Sequence, residues 1–415
     1  MTSTVVVTGI GAVTPLGNTA QETWQAALAG TSGAHTLDND WAEKYELPVD
    51  FAATVDPAVV DDRLKKVEAK RLDPASRLAL ISAREAWEDA GTPEVDPERL
   101  AVSWATGIGG VWTLLDAWNT LQEEGTRRVM PLTVPMLMPN APAAAIGMDL
   151  KARAVVQTVV SACASSTESV GHALEMIRSG KADVVVAGGA ESAVHPITLS
   201  AFSSMRALSR RTDSPETASR PFDVDRDGFV MGEGGATLVL ESEEHARARG
   251  AQIYAKVAGW GTSNDAYHIT AGEPEGAGSI RAMRDALESA GISPADVKHI
   301  NGHATSTPVG DIPESIAVNR LLGDAVDEAR FSATKSMTGH LLGGAGALEA
   351  LFTVKAIKER LAPPTINIQT VDPEVNLNIV RDTPAQLPEG DIAAITNSVG
   401  FGGHNAVVAF ASYHG

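Results

Sequence analysis

The sequence predicts an α/β protein built from two similar halves, with mostly parallel strands covered by helices. Three observations lead there. Segments rich in β-branched residues alternate with amphipathic helical stretches, the pattern of consecutive βαβ units. The octapeptide Arg84-Glu-Ala-Trp-Glu-Asp-Ala-Gly91 returns two hundred residues later as Arg284-Asp-Ala-Leu-Glu-Ser-Ala-Gly291, with five identities in eight positions. With 415 residues, 44% apolar and 20% charged, the chain has the size and composition of two or three packed folding units.

The elements follow in order. Val5-Val6-Val7-Thr8 reads as a buried opening strand. Asp73-Pro74 reads as the N-cap and first residue of a helix that carries Leu80, Ala83 and Trp87 on one face and stops at Gly91. Residues 155–160 form a strand turning into a small-residue helix, and residues 331–334 before a helix over 338–350 repeat that pattern. Residues 181–188 and 391–397 close the two halves alike, each followed by glycine-rich turns and one more strand. The join falls near the charged stretch 241–250, which divides the chain into 1–250 and 251–415.

Composition excludes several function classes. Acidic residues outnumber basic ones by 52 to 33, a net charge of −19 that argues against nucleic-acid backbones or anionic membrane surfaces as the main partner. The single cysteine, Cys163, permits no intrachain disulfide and no multi-cysteine metal site, which fits a reducing cytoplasm; no metal site is expected. The opening Met1-Thr2-Ser3-Thr4-Val5 lacks a basic segment followed by an apolar run, and no stretch of about 20 apolar residues occurs, so neither secretion nor membrane spanning is expected.

Cys163 lies in Val159-Val-Ser-Ala-Cys163-Ala-Ser-Ser-Thr167, where an apolar strand gives way to a helix. Free N–H groups and the helix dipole there favour a thiolate, which lowers the thiol pKa and makes a nucleophile whose own N–H can face an oxyanion. The same residue also suits a buried, inert role. His303, in Asn301-Gly-His-Ala-Thr-Ser-Thr-Pro-Val-Gly-Asp311, and His340, in Lys335-Ser-Met-Thr-Gly-His340, both follow strand ends in the second half. Working sites of open α/β sheets lie outside the carboxyl ends of strands, so these loops can converge on Cys163. Asn397-Ser-Val-Gly-Phe401-Gly-Gly-His-Asn405 offers backbone N–H groups to complete an oxyanion hole, or else simply a tight hairpin turn.

Two motifs are set aside. Gly9-Ile-Gly11 follows a strand as a dinucleotide fingerprint does, but Thr14 stands at the third glycine and Pro15 interrupts the helix start. Asp223-Val-Asp225-Arg-Asp227-Gly228 imitates a calcium loop, yet its twelfth position is Gly234 where a bidentate Glu is needed. A structural network of Arg226 with nearby carboxylates is expected instead.

Taken in order, Val7-Thr-Gly-Ile-Gly11, Gly107-Ile-Gly-Gly110, the Cys163 turn, residues 222–234, the His303 loop, residues 335–346 and residues 397–405 resemble the β-ketoacyl-[acyl-carrier-protein] synthases of the thiolase superfamily, most closely the elongating (type II) condensing enzymes. The resemblance implies a thiolase-like fold, two βαβαβαββ halves in five αβαβα layers. It assigns acyl transfer to Cys163 and decarboxylation and condensation to His303 and His340. Lys335, Glu349 and Asn397 support the histidines, the Phe401 N–H is a second oxyanion donor and gate, and Gly402 is a substrate-binding residue. Ile108 and Phe202 resemble acyl-pocket residues; Thr305 and Thr307, joined by Thr270, resemble phosphopantetheine contacts.

The implied reaction is decarboxylative condensation of malonyl-[acyl-carrier-protein] with the acyl group on Cys163 in fatty-acid elongation. A type II polyketide ketosynthase or a non-catalytic partner subunit is the alternative. No cofactor is implied, because substrates arrive on the phosphopantetheine arm of acyl carrier protein. A homodimer is implied as well. Carrier proteins are acidic, so local basic groups must receive them, and Lys65, Arg127 and Arg206 head the basic clusters. One departure concerns Gly302-His303-Ala304, where the family more often has Ala-His-Gly; the exchange preserves the loop only if Ala304 avoids positive φ.

Overall fold

The computed structural model describes residues 3–414; Met1 and Thr2 of the opening segment and Gly415 lie outside the described residues. The first half contains strands β1 (Val5–Val13), β2 (Leu100–Ala105), β3 (Val156–Val159), β4 (Val184–Glu191) and β5 (Gly234–Ser242). The second contains β6 (Ala255–Asn264), β7 (Val297–Asn301), β8 (Arg330–Ser332), β9 (Ala393–Gly400) and β10 (His404–Ala411). Hydrogen bonding runs β8-β7-β9-β10-β6-β1-β5-β4-β2-β3, so each half repeats one strand order. In each, the outer three strands pair in parallel and the last two pairings are antiparallel. The halves join where Val5–Val7 pair antiparallel with residues 255–257, which makes one continuous ten-stranded sheet.

Helix α1 (Pro74–Asp89) begins as the sequence predicts, with the Asp73 carboxylate accepting the Ala75 N–H at 3.0 Å, and Gly91 takes φ +76° after its end. Its counterpart in the second half is α2 (Ala277–Ala290), closed by Gly291 at φ +66°. Each packs on its half's first strand through paired glycines. A Cβ on Gly9 would lie 2.2 Å from the Ala86 carbonyl oxygen, and one on Gly259 would lie 2.4 Å from that of Ala286; Gly11 and Gly261 repeat this against Ser82 and Ala282. Gly9-Ile-Gly11 therefore serves close strand–helix packing inside β1 and forms no phosphate loop.

Between the halves lie α3 (Ser165–Arg178) and α4 (Ala345–Glu359), which pack on each other and on strands of both halves. From Ala345 to Ile357 every residue of α4 is buried, as expected of a central-layer helix. The layers thus run α, β, α, β, α. The helix expected over 338–350 is shorter at its start, because Gly339 at φ +66° and Leu342 at φ +47° break it into α5 (Lys335–Thr338), a turn, and α4.

Residues 243–248 form a short helix across the join, held by the buried Glu241 carboxylate. Glu241 accepts from Thr8 Oγ1 at 2.5 Å, pairs with His245 Nδ1 at 2.6 Å and accepts from Arg249 Nε at 3.0 Å. The calcium-like stretch is an ion-pair network. Arg226 bonds Asp372 at 2.8 Å and lies 3.6 Å from Asp311, while Asp223 accepts the N–H groups of Gln369 and Thr370 at 2.7 and 2.9 Å. No helix among the described residues is long and apolar enough to cross a membrane.

Candidate active site

The candidate residues follow the carboxyl ends of strands, where the loops of both halves meet. After β3 the chain turns sharply at Ala162, φ +51°, and delivers Cys163 two residues before α3. Ser165 locks the elbow: its Oγ accepts the Ser161 N–H at 2.8 Å and donates to the Ala162 carbonyl at 2.6 Å. No side chain caps α3; its first N–H groups close the elbow instead, Ala164 donating to Ser161 O at 3.1 Å and Ser165 to Ala162 O at 3.2 Å. β9 and β10 form a hairpin, and the Phe401 N–H at its tip lies near enough to the Cys163 sulfur to lower the thiol pKa. The glycine-rich segment is thus a tight turn that also brings a backbone N–H to the thiol.

The thiol pKa moves opposite to the sequence expectation. Burial pushes it up to about 12, and the Lys335 charge and the Phe401 N–H offset only part of that rise, while Glu191 adds to it. Removal from water dominates over the helix terminus. Cys163 rests as a thiol.

Gly302 leads from β7 into His303, whose backbone N–H donates to Glu314 Oε1 at 2.6 Å; the next N–H, of Ala304, donates to Oε2 at 2.7 Å. Ala304 sits at φ +25°, so the condition set by the sequence departure is not met and the loop carries strain. At the neighbouring position a Cβ on Gly302 would lie 2.1 Å from the Phe331 ring. Glycine at 302 makes room for that aromatic ring, and the Glu314 clamp holds Ala304 in place.

Lys335, 2% exposed, starts α5 and donates to Glu349, to the His303 carbonyl at 2.7 Å and to His303 Nδ1 at 3.3 Å. Nδ1 therefore accepts, and the ring proton is on Nε2. Burial, the Lys335 charge and His340 hold His303 well below the usual histidine range. Burial and Lys335 do the same to His340, so both are neutral. His340 is pinned by strand-like bonds, its N–H to Val230 O at 2.8 Å and its carbonyl from Gly232 N–H at 2.9 Å. Its Nδ1 is buried without a partner among the described residues; an orphan acceptor is tolerated better than an orphan donor, which places its proton on Nε2 as well. The two rings stand edge to face, 5.3 Å between centroids.

Cys163, both histidines, Phe401, Phe202, Thr270, Thr305 and Thr307 line one cavity of about 520 Å³, and Arg206 lies at its wall. The two threonine hydroxyls of the His303 loop are 3.0 Å apart. Lys335, Glu349 and Asn397 stand behind the lining; Asn397 donates to Glu314. Gly402, at φ +88°, bonds Ile269 O at 2.8 Å and shapes the turn without lining the cavity. Ile108 does not reach the cavity: its N–H is held by Glu191 and the residue is 39% exposed in the single chain. Lys65 lies in a separate concavity with Arg63, Arg71 and Arg84, and Arg127 is exposed outside both.

Sequence reading missed Glu314, Phe229 and Glu191. Phe229 stacks edge-on between Phe202 and His340, 5.4 and 5.3 Å away. Glu314 is an i+11 partner of His303 on α6 (Asp311–Leu322), and nothing in its neighbourhood marks it as buried.

Two like halves bring a thiol, a backbone N–H and two neutral histidines to one cavity, the kind of site that acyl-transfer enzymes use. Residues 2–246 match the β-ketoacyl synthase N-terminal domain and residues 254–369 its C-terminal domain. The 3-oxoacyl-[acyl-carrier-protein] synthase 2 of Staphylococcus aureus is 44% identical over 412 residues, 99% of this chain and 98% of that protein. The enzyme of the same name from Mycobacterium bovis is 42% identical over 410 residues, 99% and 97% of the two chains. Among solved structures, a ketosynthase in complex with its type II PKS acyl-carrier protein superposes over 100% of both chains with a TM-score of 0.91 at 30% identity. The ishigamide ketosynthase/chain length factor gives 0.90 at 32% identity, again over 100% of both chains. The chain belongs to the β-ketoacyl synthase family, and its fold is thiolase-like.

Proposed function

We propose that this chain elongates fatty acyl groups by decarboxylative condensation of malonyl-[acyl-carrier-protein], with Cys163 as the acyl carrier. The observation that carries the reading is the Cys163 sulfur under the Phe401 N–H in a cavity shared with two neutral, Nε2-protonated histidines. In the first half-reaction Cys163 Sγ attacks the acyl thioester, the tetrahedral oxyanion is received by the N–H groups of Cys163 and Phe401, and the thiol proton passes to the carrier sulfur as its C–S bond breaks. The carrier thiol departs. In the second, His303 and His340 donate from Nε2 to the malonyl thioester oxygen, and the C–CO₂ bond breaks into a stabilised enolate. Its carbon attacks the Cys163 thioester carbonyl, the C–S bond breaks, the Cys163 thiolate takes up a proton from solvent, and β-ketoacyl carrier protein is released.

Phe202 forms part of the acyl wall, and Thr270, Thr305 and Thr307 receive the phosphopantetheine arm, so no separate cofactor is needed. The N-terminal half, 1–250, supplies the nucleophile and the C-terminal half, 251–415, the histidines. We place the enzyme in the cytoplasm as a homodimer. β3 ends the sheet with an unpaired edge, and Val156, Val160, Val134, Met138 and Ile108 are exposed apolar residues in the single chain, which suits a second copy there. The 42–44% identity over nearly the full length to 3-oxoacyl-[acyl-carrier-protein] synthases 2 supports the fatty-acid reading.

The test is a ladder of acyl carrier proteins mixed with malonyl carrier protein. Saturated acyl chains should each be extended by one malonyl-derived unit; product from polyketide intermediates alone, or none from any substrate, contradicts the proposal.

A further inference from the structure

Glu191, the last residue of β4, is fully buried and lies where the two halves touch. Its Oε1 accepts from the Thr106 hydroxyl at 2.8 Å and the Ile108 N–H at 3.2 Å. Its Oε2 accepts from the Gly107 N–H at 2.6 Å and, from the other half, the Gly343 N–H at 3.0 Å. With the Gly109 N–H at 3.4 Å, Oε1 faces three donors and Oε2 two, so a proton on either would point at an N–H or O–H; burial raises the carboxyl pKa and this donor set opposes the rise, favouring the carboxylate. Around it the two loops meet backbone to backbone. A Cβ on Gly343 would lie 2.0 Å from the Gly107 nitrogen, and one on Gly107 would lie 3.2 Å from the Gly343 nitrogen. The Gly343 loop begins at His340 and carries Leu342 into the cavity wall.

We propose that Glu191 is a positioning residue: its carboxylate ties the loop of residues 106–109 to the loop that follows His340, fixing the spacing between the half that holds Cys163 and the half that holds His340. This rests on the condensation reading above. Its charge is also close enough to oppose ionisation of Cys163.

The experiment compares wild type with Glu191→Gln and Thr106→Val. Gln keeps the shape and one acceptor oxygen but sets an amide NH₂ against two donors. Condensation kcat should fall about 10- to 100-fold, the size of effect that a small misplacement of reacting groups produces. KM for carrier-bound substrates should stay within about twofold, since docking lies elsewhere. The pH profile of Cys163 alkylation should move to lower pH, a change that a purely structural role does not produce. Thr106→Val keeps the charge, so turnover should fall with that profile unmoved. Wild-type kcat together with an unmoved profile in folded Glu191→Gln overturns the proposal; where that variant does not fold, wild-type turnover in Thr106→Val overturns it. Absence of elongation by the wild type would instead count against the condensation reading.

Discussion

Lys335 Nζ donates to His303 Nδ1 across 3.3 Å while Glu349 and the His303 carbonyl hold the same ammonium. One buried cation thus sets the tautomer of the His303 imidazole and adds to burial in keeping it neutral. Lys335→Met should release less CO₂ from malonyl carrier protein, by about 100-fold, the scale of losing one oxyanion donor. The pH dependence follows from the sign of the shifts. Both histidine pKa values lie well below 6.5, so the neutral forms persist from pH 9 down past 6.5 and wild-type decarboxylation is flat over that window. Activity is lost only when acid reaches the depressed values. Lys335→Met removes one cause of the depression, so its acid limb should move up toward 6.5. An acid limb at 6.5 in the wild type contradicts this account.

Cys163 gives the second pH test. With the thiol pushed up to about 12, its thiolate fraction grows about tenfold per pH unit throughout pH 7–10. Iodoacetamide alkylation should therefore rise log-linearly across that range. A plateau near pH 8 would mean that the helix terminus wins over burial after all.

The exchange of small residues around His303 makes a coupled prediction. Gly302→Ala should cost about 1–3 kcal/mol, because its methyl meets the Phe331 ring, and Phe331→Leu should recover much of that loss. Ala304→Gly relieves a positive φ and should stabilise by about 0.5–1 kcal/mol with activity kept. Urea denaturation of the four variants checks both; additive losses at 302 and 331, or a destabilised Ala304→Gly, would refute the packing argument.

Carrier docking concerns a chain of net charge −19 meeting an acidic partner. Charges are screened over about 8 Å at physiological ionic strength, so local basic groups outweigh distant acids. Arg206 stands at the cavity wall, Lys65 among Arg63, Arg71 and Arg84, and Arg127 is exposed. Lys65→Glu, Arg127→Glu and Arg206→Glu should raise KM for carrier-bound substrates through slower association and leave free pantetheine thioesters unaffected. Equal losses with both substrate forms would remove the docking assignment.

What was legible in the sequence had local punctuation. Asp73-Pro74 and Gly91 bound a helix because capping is a short-range rule, and the octapeptide echo shows because its helices pack the same way on paired glycines. Cys163, His303, His340 and Phe401 stood out because strand-end turns carry reactive side chains. Glu191 and Glu314 did not: each acts through donors brought together from distant segments, and a buried carboxylate looks like any other in sequence. The Cys163 pKa was misjudged for the same reason, since local position gives the dipole but only the packed structure gives the burial. Ile108 lies at the surface of one chain, where sequence likeness implied a pocket.

The central claim is that Cys163 carries the acyl chain. Intact-protein and peptide mass spectrometry after incubation with an acyl carrier protein should find one acyl adduct, on Cys163, discharged when malonyl carrier protein is added with formation of the β-ketoacyl product. Elongation by Cys163→Ala, or an adduct at another residue that turns over at the rate of product formation, would contradict it.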